Sequence, residues 1–230
     1  MIKRWLLSAS FVAISCSPLL AAEQTWTPTL ELTPAATSSG WLTSANVSIH
    51  FAPPISPEQV KGYSILLDSS PFMEADLIVD TANPAWQFTD LADGTRYFTV
   101  HVLQKNGRWI KGKPVRIKVD TTPPPAPGPI VAYDSLFAKT KIAADTAQSL
   151  TKRPFFKWKA PKAEPGSSIA LYRCTWQKTD SNEVIESTAS SATEFFPQQA
   201  VAAGRYKLTL TAVDEAGWES TTATFGFVSQ

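Results

Sequence analysis

Only two histidines, His50 and His101, stand in this 230-residue chain, so acid–base chemistry would have to centre on them or on carboxylates. Both fall at polar positions of alternating apolar segments, Val47-Ser-Ile-His-Phe51 and Phe98-Thr-Val-His-Val102. That period of two predicts strands whose imidazoles face solvent. Neither has a Cys or carboxylate at the spacing a metal centre needs. Carboxylate pairs occur as Glu74/Asp76 and Asp90/Asp93, but in turn-forming stretches, whereas a glycosidase must hold two across a cleft. Gly-x-Ser-x-Gly, the full phosphate-loop motif Gly-x-x-x-x-Gly-Lys-Ser/Thr and Gly-x-Gly-x-x-Gly are all absent from the sequence, so neither an activated serine nor a phosphate cradle is expected. The inventory predicts a protein that is not an enzyme, with no catalytic residues, no cofactor and no bound metal.

The aromatic residues carry more information. The chain has eight tryptophans. Trp86 and Trp158 are expected in cores. Trp109 and Trp218 each follow a glycine just past a long apolar segment, at a place where loops carry function. Around Trp109, Arg108 and Lys111 join Lys105 and Lys113 in a local basic cluster. Trp109, Trp218, Arg108 and Lys111 are therefore the candidate partner-binding residues, for a protein, a glycan, an acidic polymer or lipid headgroups. The competing expectation is that both indoles cap the ends of their domains.

The ends of the chain set the compartment. Met1-Ile-Lys-Arg4, the apolar run Trp5 to Ile14, and Pro18-Leu-Leu-Ala-Ala22 form the pattern of a signal peptide over residues 1–22, too short for a membrane span. Cleavage after Ala22 is the expected route. Ala13-Ile-Ser-Cys16 also resembles a lipobox, which makes Cys16 a candidate lipidation site and a lipid anchor the alternative. The expected location is the periplasm, the outer membrane surface or the extracellular space. Losing Lys3 and Arg4 turns 21 basic against 20 acidic residues into a slight acidic excess, which gives no footprint for nucleic acid. After such cleavage Cys174 would be the lone cysteine, in an apolar stretch where it reads as a small buried hydrophobe.

Five of the 18 prolines, at 123, 124, 125, 127 and 129, fall in one short segment. Prolines favour stiff polyproline II and lack the amide donors a sheet needs, so 121–129 reads as a linker between residues 23–120 and 130–230. The halves repeat each other. Gly94-Thr-Arg-Tyr-Phe-Thr-Val-His-Val102 matches Gly204-Arg-Tyr-Lys-Leu-Thr-Leu-Thr-Ala212 at one constant offset, which also pairs Gly107 with Gly217. Alternation dominates both copies, as in Val115-Arg-Ile-Lys-Val119, and predicts antiparallel sheets with one buried face. About seven short strands fit each half, the number of an immunoglobulin-like sandwich. Residues 134–149 resist this pattern and are expected to form a short helix or an ordered loop. Calcium could bridge the halves through Asp120 with Asp214 or Glu215, though no Asp-x-Asp loop supports it.

These residues resemble fibronectin type III and bacterial immunoglobulin-like domains. Phe155-Phe-Lys-Trp-Lys-Ala-Pro161 is similar to that family's second strand. Gly204-Arg-Tyr206 is similar to its tyrosine corner, and Ala212-Val-Asp-Glu-Ala-Gly-Trp218 to the turn after its sixth strand. In the first copy Phe51 takes the Trp position and Arg96, not Tyr97, aligns with Tyr206, so either a bulge shifts that strand or Tyr97 points outward. The resemblance implies an all-β chain of two immunoglobulin-like, fibronectin type III-like antiparallel β-sandwiches in tandem. Together with the signal-peptide pattern and the motif inventory, it leads to the expectation of an exported, non-catalytic cell-envelope or secreted protein whose domains bind an envelope or extracellular protein or act as a spacer. The alternatives are a carbohydrate-binding or enzyme-accessory module and a periplasmic pilus-type chaperone.

Overall fold

A computed structural model describes residues 24–148, 153–162 and 165–230. The first half carries β1 (Thr25–Trp26), β2 (Leu30–Thr33), β3 (Trp41–Leu42), β4 (Val47–Phe51), β5 (Val60–Asp68), β6 (Ala85–Phe88), β7 (Gly94–Gln104), β8 (Trp109–Gly112) and β9 (Val115–Val119). The second carries β10 (Val131–Tyr133), β11 (Lys141–Ile142), β12 (Ala147–Gln148), β13 (Phe155–Lys157), β14 (Ile169–Lys178), β15 (Glu183–Ser190), β16 (Glu194–Phe195), β17 (Gly204–Asp214) and β18 (Ala223–Ser229). One 3-10 turn, Pro57–Gln59, is the sole helical element among the described residues, and no described helix is long and apolar enough to cross a membrane.

Alternation decides which sheet face is buried. In β4, Val47, Ile49 and Phe51 are buried while Ser48 and His50 are exposed. In domain 1 the sheet β2-β4-β6 faces a larger one in which β7 pairs with β5 on one flank and with β8 and β9 on the other. Domain 2 repeats the plan, with β10, β11, β13 and β16 facing β12, β18, β17, β14 and β15. The central strands β7 and β17 begin and end at the same offset seen in the sequence. Phe98, Val100 and Val102 in one and Leu208, Leu210 and Ala212 in the other are all fully buried. Each strand opens on a glycine of positive φ, 121° at Gly94 and 147° at Gly204, a region that side chains disfavour.

Aromatic packing dominates both cores. Phe51 meets Tyr63 edge to face at 5.1 Å, so a phenyl ring fills the place expected of a Trp. In domain 2, Trp176 stacks on Tyr206 at 5.2 Å, and the Tyr206 hydroxyl donates to the Ala202 carbonyl at 3.0 Å, the corner expected there. Tyr97 lies on the opposite face of β7 from Phe98, Val100 and Val102, half-buried, with no shift in the pairing around it. Residues 134–149 are not helical up to the last described position: they form turns with the short strands β11 and β12. Cys174 is 3% exposed, and burial pushes its thiol up to about 11.

The copies differ where a strand beside β5 would lie. In domain 2, β15 pairs with β14 along its length. In domain 1 the corresponding segment, residues 69–84, makes one bridge to β5, Tyr63 to Thr81. It crosses the outer face of the sheet instead, and Ser64, Thr99 and His101 on that face are buried.

Candidate functional site

Where β9 ends, the domains meet. Asp120 is 1% exposed, and its amide donates to the Leu42 carbonyl at 2.9 Å. Its carboxylate accepts from the Thr122 amide at 3.3 Å and, across the joint, from the Ser167 amide of domain 2 at 2.7 Å. Gly166 allows that approach: a Cβ there would stand 2.4 Å from an Asp120 carboxylate oxygen, far inside contact distance. The linker is seated as well. Asp93 accepts from Thr121 (amide and hydroxyl both 2.8 Å) and from the Thr122 hydroxyl at 2.6 Å. Gly128 donates to the Lys159 carbonyl at 2.9 Å, and Pro124 and Pro127 are buried. The stiff proline segment is thus clamped at both ends.

The turn between β17 and β18 closes the joint from the other side. The Trp218 indole N–H donates to the Asp120 carbonyl at 2.9 Å. Glu215 accepts from the Trp41 indole N–H at 3.2 Å, and the Ser39 hydroxyl donates to the Glu215 carbonyl. Trp41 is 6% exposed, with the Lys118 ammonium 4.6 Å from its ring centre. The turn is itself held to domain 2: Ala216 donates to the Ser167 hydroxyl at 3.1 Å and Trp218 to the Asp214 carboxylate at 2.9 Å. A cavity of about 370 Å³, lined in part by Asp93, Asp120, Asp214, Lys162 and Pro165, remains beside these contacts.

Electrostatics at the joint are mixed. Burial pushes the Asp214 carboxyl up, and the charge of Asp120 adds to the rise. Burial acts the same way on Asp93, but hydrogen bonds from Thr122 and Thr121 outweigh it and hold that group below the usual carboxylate range. Glu215, one of the residues considered for a calcium bridge, is turned to Trp41. Among the described residues no group of three or more His, Cys, Asp or Glu side chains could hold a metal ion.

The sequence candidates separate in space. Trp218 belongs to the joint. Trp109 and Lys111 lie on the outer face of β8 and Arg108 in the exposed β7–β8 hairpin. The Lys111 ammonium pairs with Glu74 of the 69–84 segment at 3.0 Å, which holds the Glu74 carboxyl below its ordinary range. Cys16 and the expected signal peptide lie outside the described residues. His50 is exposed as expected, 3.8 Å from Glu31. His101 corrects the solvent-facing expectation: it is 1% exposed, and its Nδ1 accepts from the Gly112 amide at 3.2 Å. The segment covering the sheet is the reason, and the two histidines lie in different sheets. Trp86 corrects the core expectation. It lies across from Ile49, but on edge strand β6, and remains 36% exposed.

Sequence reasoning missed Trp41, Asp93, Gly166, Ser167 and the 69–84 segment. For that segment one signal existed: Leu77-Ile-Val79 is an apolar run held between Asp76 and Asp80, without the alternation of a paired strand.

The strand pairing defines the class of protein. A smaller sheet faces one built on β14, β17 and β18, as another faces β5, β7 and β9 in domain 1, so the chain is a tandem pair of fibronectin type III-like β-sandwiches. No protein-family model matches it, and no curated protein matches either. Similar solved structures include two of fibronectin type III modules. The fibronectin(III)-like modules of CbhA from Clostridium thermocellum are 14% identical, with 89% of this chain and 94% of that chain covered and a TM-score of 0.40. A two-domain fibronectin type III segment of chicken tenascin is 15% identical, with 87% and 98% covered and a TM-score of 0.37.

Proposed function

We propose that the chain is an exported, non-catalytic module of the cell envelope or extracellular space, a stiff two-domain spacer that presents a binding surface. The observation that carries this reading is the joint. A flexible tether needs no buried contacts, yet here Asp120 and Trp41 of domain 1 engage Ser167, Glu215 and Trp218 of domain 2. Each neutral bond is worth about 1 kcal/mol and those to carboxylates about twice that. Together they favour one relative orientation over the many that a free linker would sample. The long edge of β15, with no proline or lysine over eight residues, gives a partner strand a place to add.

Export and stiffness are tested separately. Intact mass of the protein from an exporting bacterial host should show a chain beginning at Glu23, or a lipidated Cys16. An uncleaved chain retained in the cytoplasm would overturn the envelope reading. Small-angle scattering should give one distance distribution that Trp218→Ala broadens. A native distribution already as broad as the variant's would overturn the spacer.

A further inference from the structure

Five large apolar side chains are exposed within eight positions of domain 1: Phe72 at 89%, Met73 at 53%, Leu77 at 55%, Ile78 at 68% and Val79 at 40%. Soluble surfaces rarely gather so much apolar area in one place. The segment is fixed from below. The Ser64 hydroxyl donates to Asp76 and the Ile65 amide to the Asp80 carboxylate at 2.6 Å. Ala75 is buried, and Val79 packs so closely over Gly62 that a Cβ on that glycine would stand 2.4 Å from it. Its acids are therefore committed inward or to Lys111, while Phe72, Met73, Leu77 and Ile78 face out.

A basic rim adjoins this apolar ridge. Gly62 pairs with Leu103, and Leu103 with Trp109, so Trp109 lies about 10 Å from Gly62 across two strand spacings. The β7–β8 hairpin beside it bears Lys105 and Arg108, and Lys113 follows β8. Among the described residues none of these three has an ion pair. In the second copy the positions of Lys105 and Arg108 are Glu215 and Trp218, which there hold the joint. In the first copy the same turn is free of a neighbouring domain and has become basic.

We propose that this face of domain 1, the ridge Phe72, Met73, Leu77 and Ile78 with Trp109 and the Lys105–Arg108 turn, docks on the surface of an anionic lipid bilayer. Apolar side chains that protrude beside Trp and Lys/Arg suit the interface, where rings and alkyl groups sit below the headgroups and cations meet the phosphates. A second copy fits less well. The ridge offers on the order of 500 Å², short of the roughly 800 Å² per partner in a stable interface. Its basic rim would also meet another basic rim. The inference is independent of the spacer reading and stands if the joint proves loose.

The test is flotation of the chain, as processed by an exporting host, with vesicles of phosphatidylglycerol and phosphatidylethanolamine and with neutral phosphatidylcholine vesicles. Brominated lipid quenching of tryptophan fluorescence is read in parallel on the native chain and Trp109→Phe. Binding should favour the anionic vesicles, weaken with salt, and fall at least tenfold in Phe72→Asp/Ile78→Asp and in Lys105→Glu/Arg108→Glu. Quenching should drop in Trp109→Phe. All these side chains are exposed or half-buried, so unchanged circular dichroism and melting will show that the variants fold. Absence of quenching at Trp109, or binding equal in native and variant chains (as a lipidated Cys16 alone would give), overturns the proposal. So does a concentration-dependent dimer that Phe72→Asp/Ile78→Asp abolishes, because the ridge would then be covered by a second copy.

Discussion

Gly166→Ala is the smallest change that should open the joint. The added methyl would stand 2.4, 2.6 and 2.8 Å from the three atoms of the Asp120 carboxylate group, and Asp120 is 1% exposed. Two relaxations exist. If the carboxylate turns away, it loses the 2.7 Å bond from the Ser167 amide, a charge-assisted bond worth roughly 1.5–3 kcal/mol. If the loop shifts instead, overpacking costs about 1–3 kcal/mol and pulls Ser167 from both Asp120 and Ala216. Whichever relaxation is cheaper sets the cost, so the docked joint should lose about 1–3 kcal/mol, a shift of roughly 5- to 150-fold in the docking equilibrium. Gly166 has no positive φ among the glycines that do, so the effect would come from contact and not from backbone strain. The assay is electron–electron distance measurement between spin labels placed on exposed residues of the two domains, with thermal melting alongside. The native chain should give one narrow distance. The variant should give a broad distribution while both β-sandwich cores still melt cooperatively. A narrow, unshifted distance in Gly166→Ala would refute the reasoning, because the clash would have been absorbed without loosening the joint.

Three further outcomes are expected. Asp214→Asn should raise the melting temperature at pH 7. Burial and Asp120 lift the folded carboxyl above its unfolded value, so ionised Asp214 costs stability at high pH, and the gain should vanish as pH falls towards 4. Cys174, with its thiol at about 11 and 3% exposure, should react with an aromatic disulfide reagent at pH 8 only after denaturant is added; fast labelling of the folded chain would contradict its burial. Tyr206→Phe keeps the ring stack on Trp176 but removes the bond to Ala202, and should lower the unfolding free energy in urea by about 1 kcal/mol.

How much was legible in the sequence follows from which forces are local. Alternation, glycine placement and the constant offset report on single strands, so β4, β7, β9 and β17 and the two-domain plan could be read directly. The Tyr206 corner was legible because its partner, Ala202, is four residues away. The joint was not. Asp120 meets Ser167, and Trp41 meets Glu215, only after two domains have folded, and no spacing along the chain encodes those contacts. His101 and Trp86 show the same limit from opposite sides. Both sit where alternation predicts, yet burial on a strand face depends on what lies over it. For His101 that cover is the 69–84 segment, whereas Trp86 stands on the edge strand β6 and stays 36% exposed. Among the candidate residues, sequence could not tell that Trp218 is occupied at the joint while Arg108 and Trp109 face outward.

The measurement that bears most directly on the two-domain unit is the set of residual dipolar couplings of the native chain in a weakly aligning medium, fitted for each domain alone. The joint described here predicts that residues 25–120 and 130–230 give alignment tensors equal in magnitude and orientation, and that Gly166→Ala separates them. Two tensors of different magnitude in the native chain would mean that the domains reorient freely, and would contradict the account.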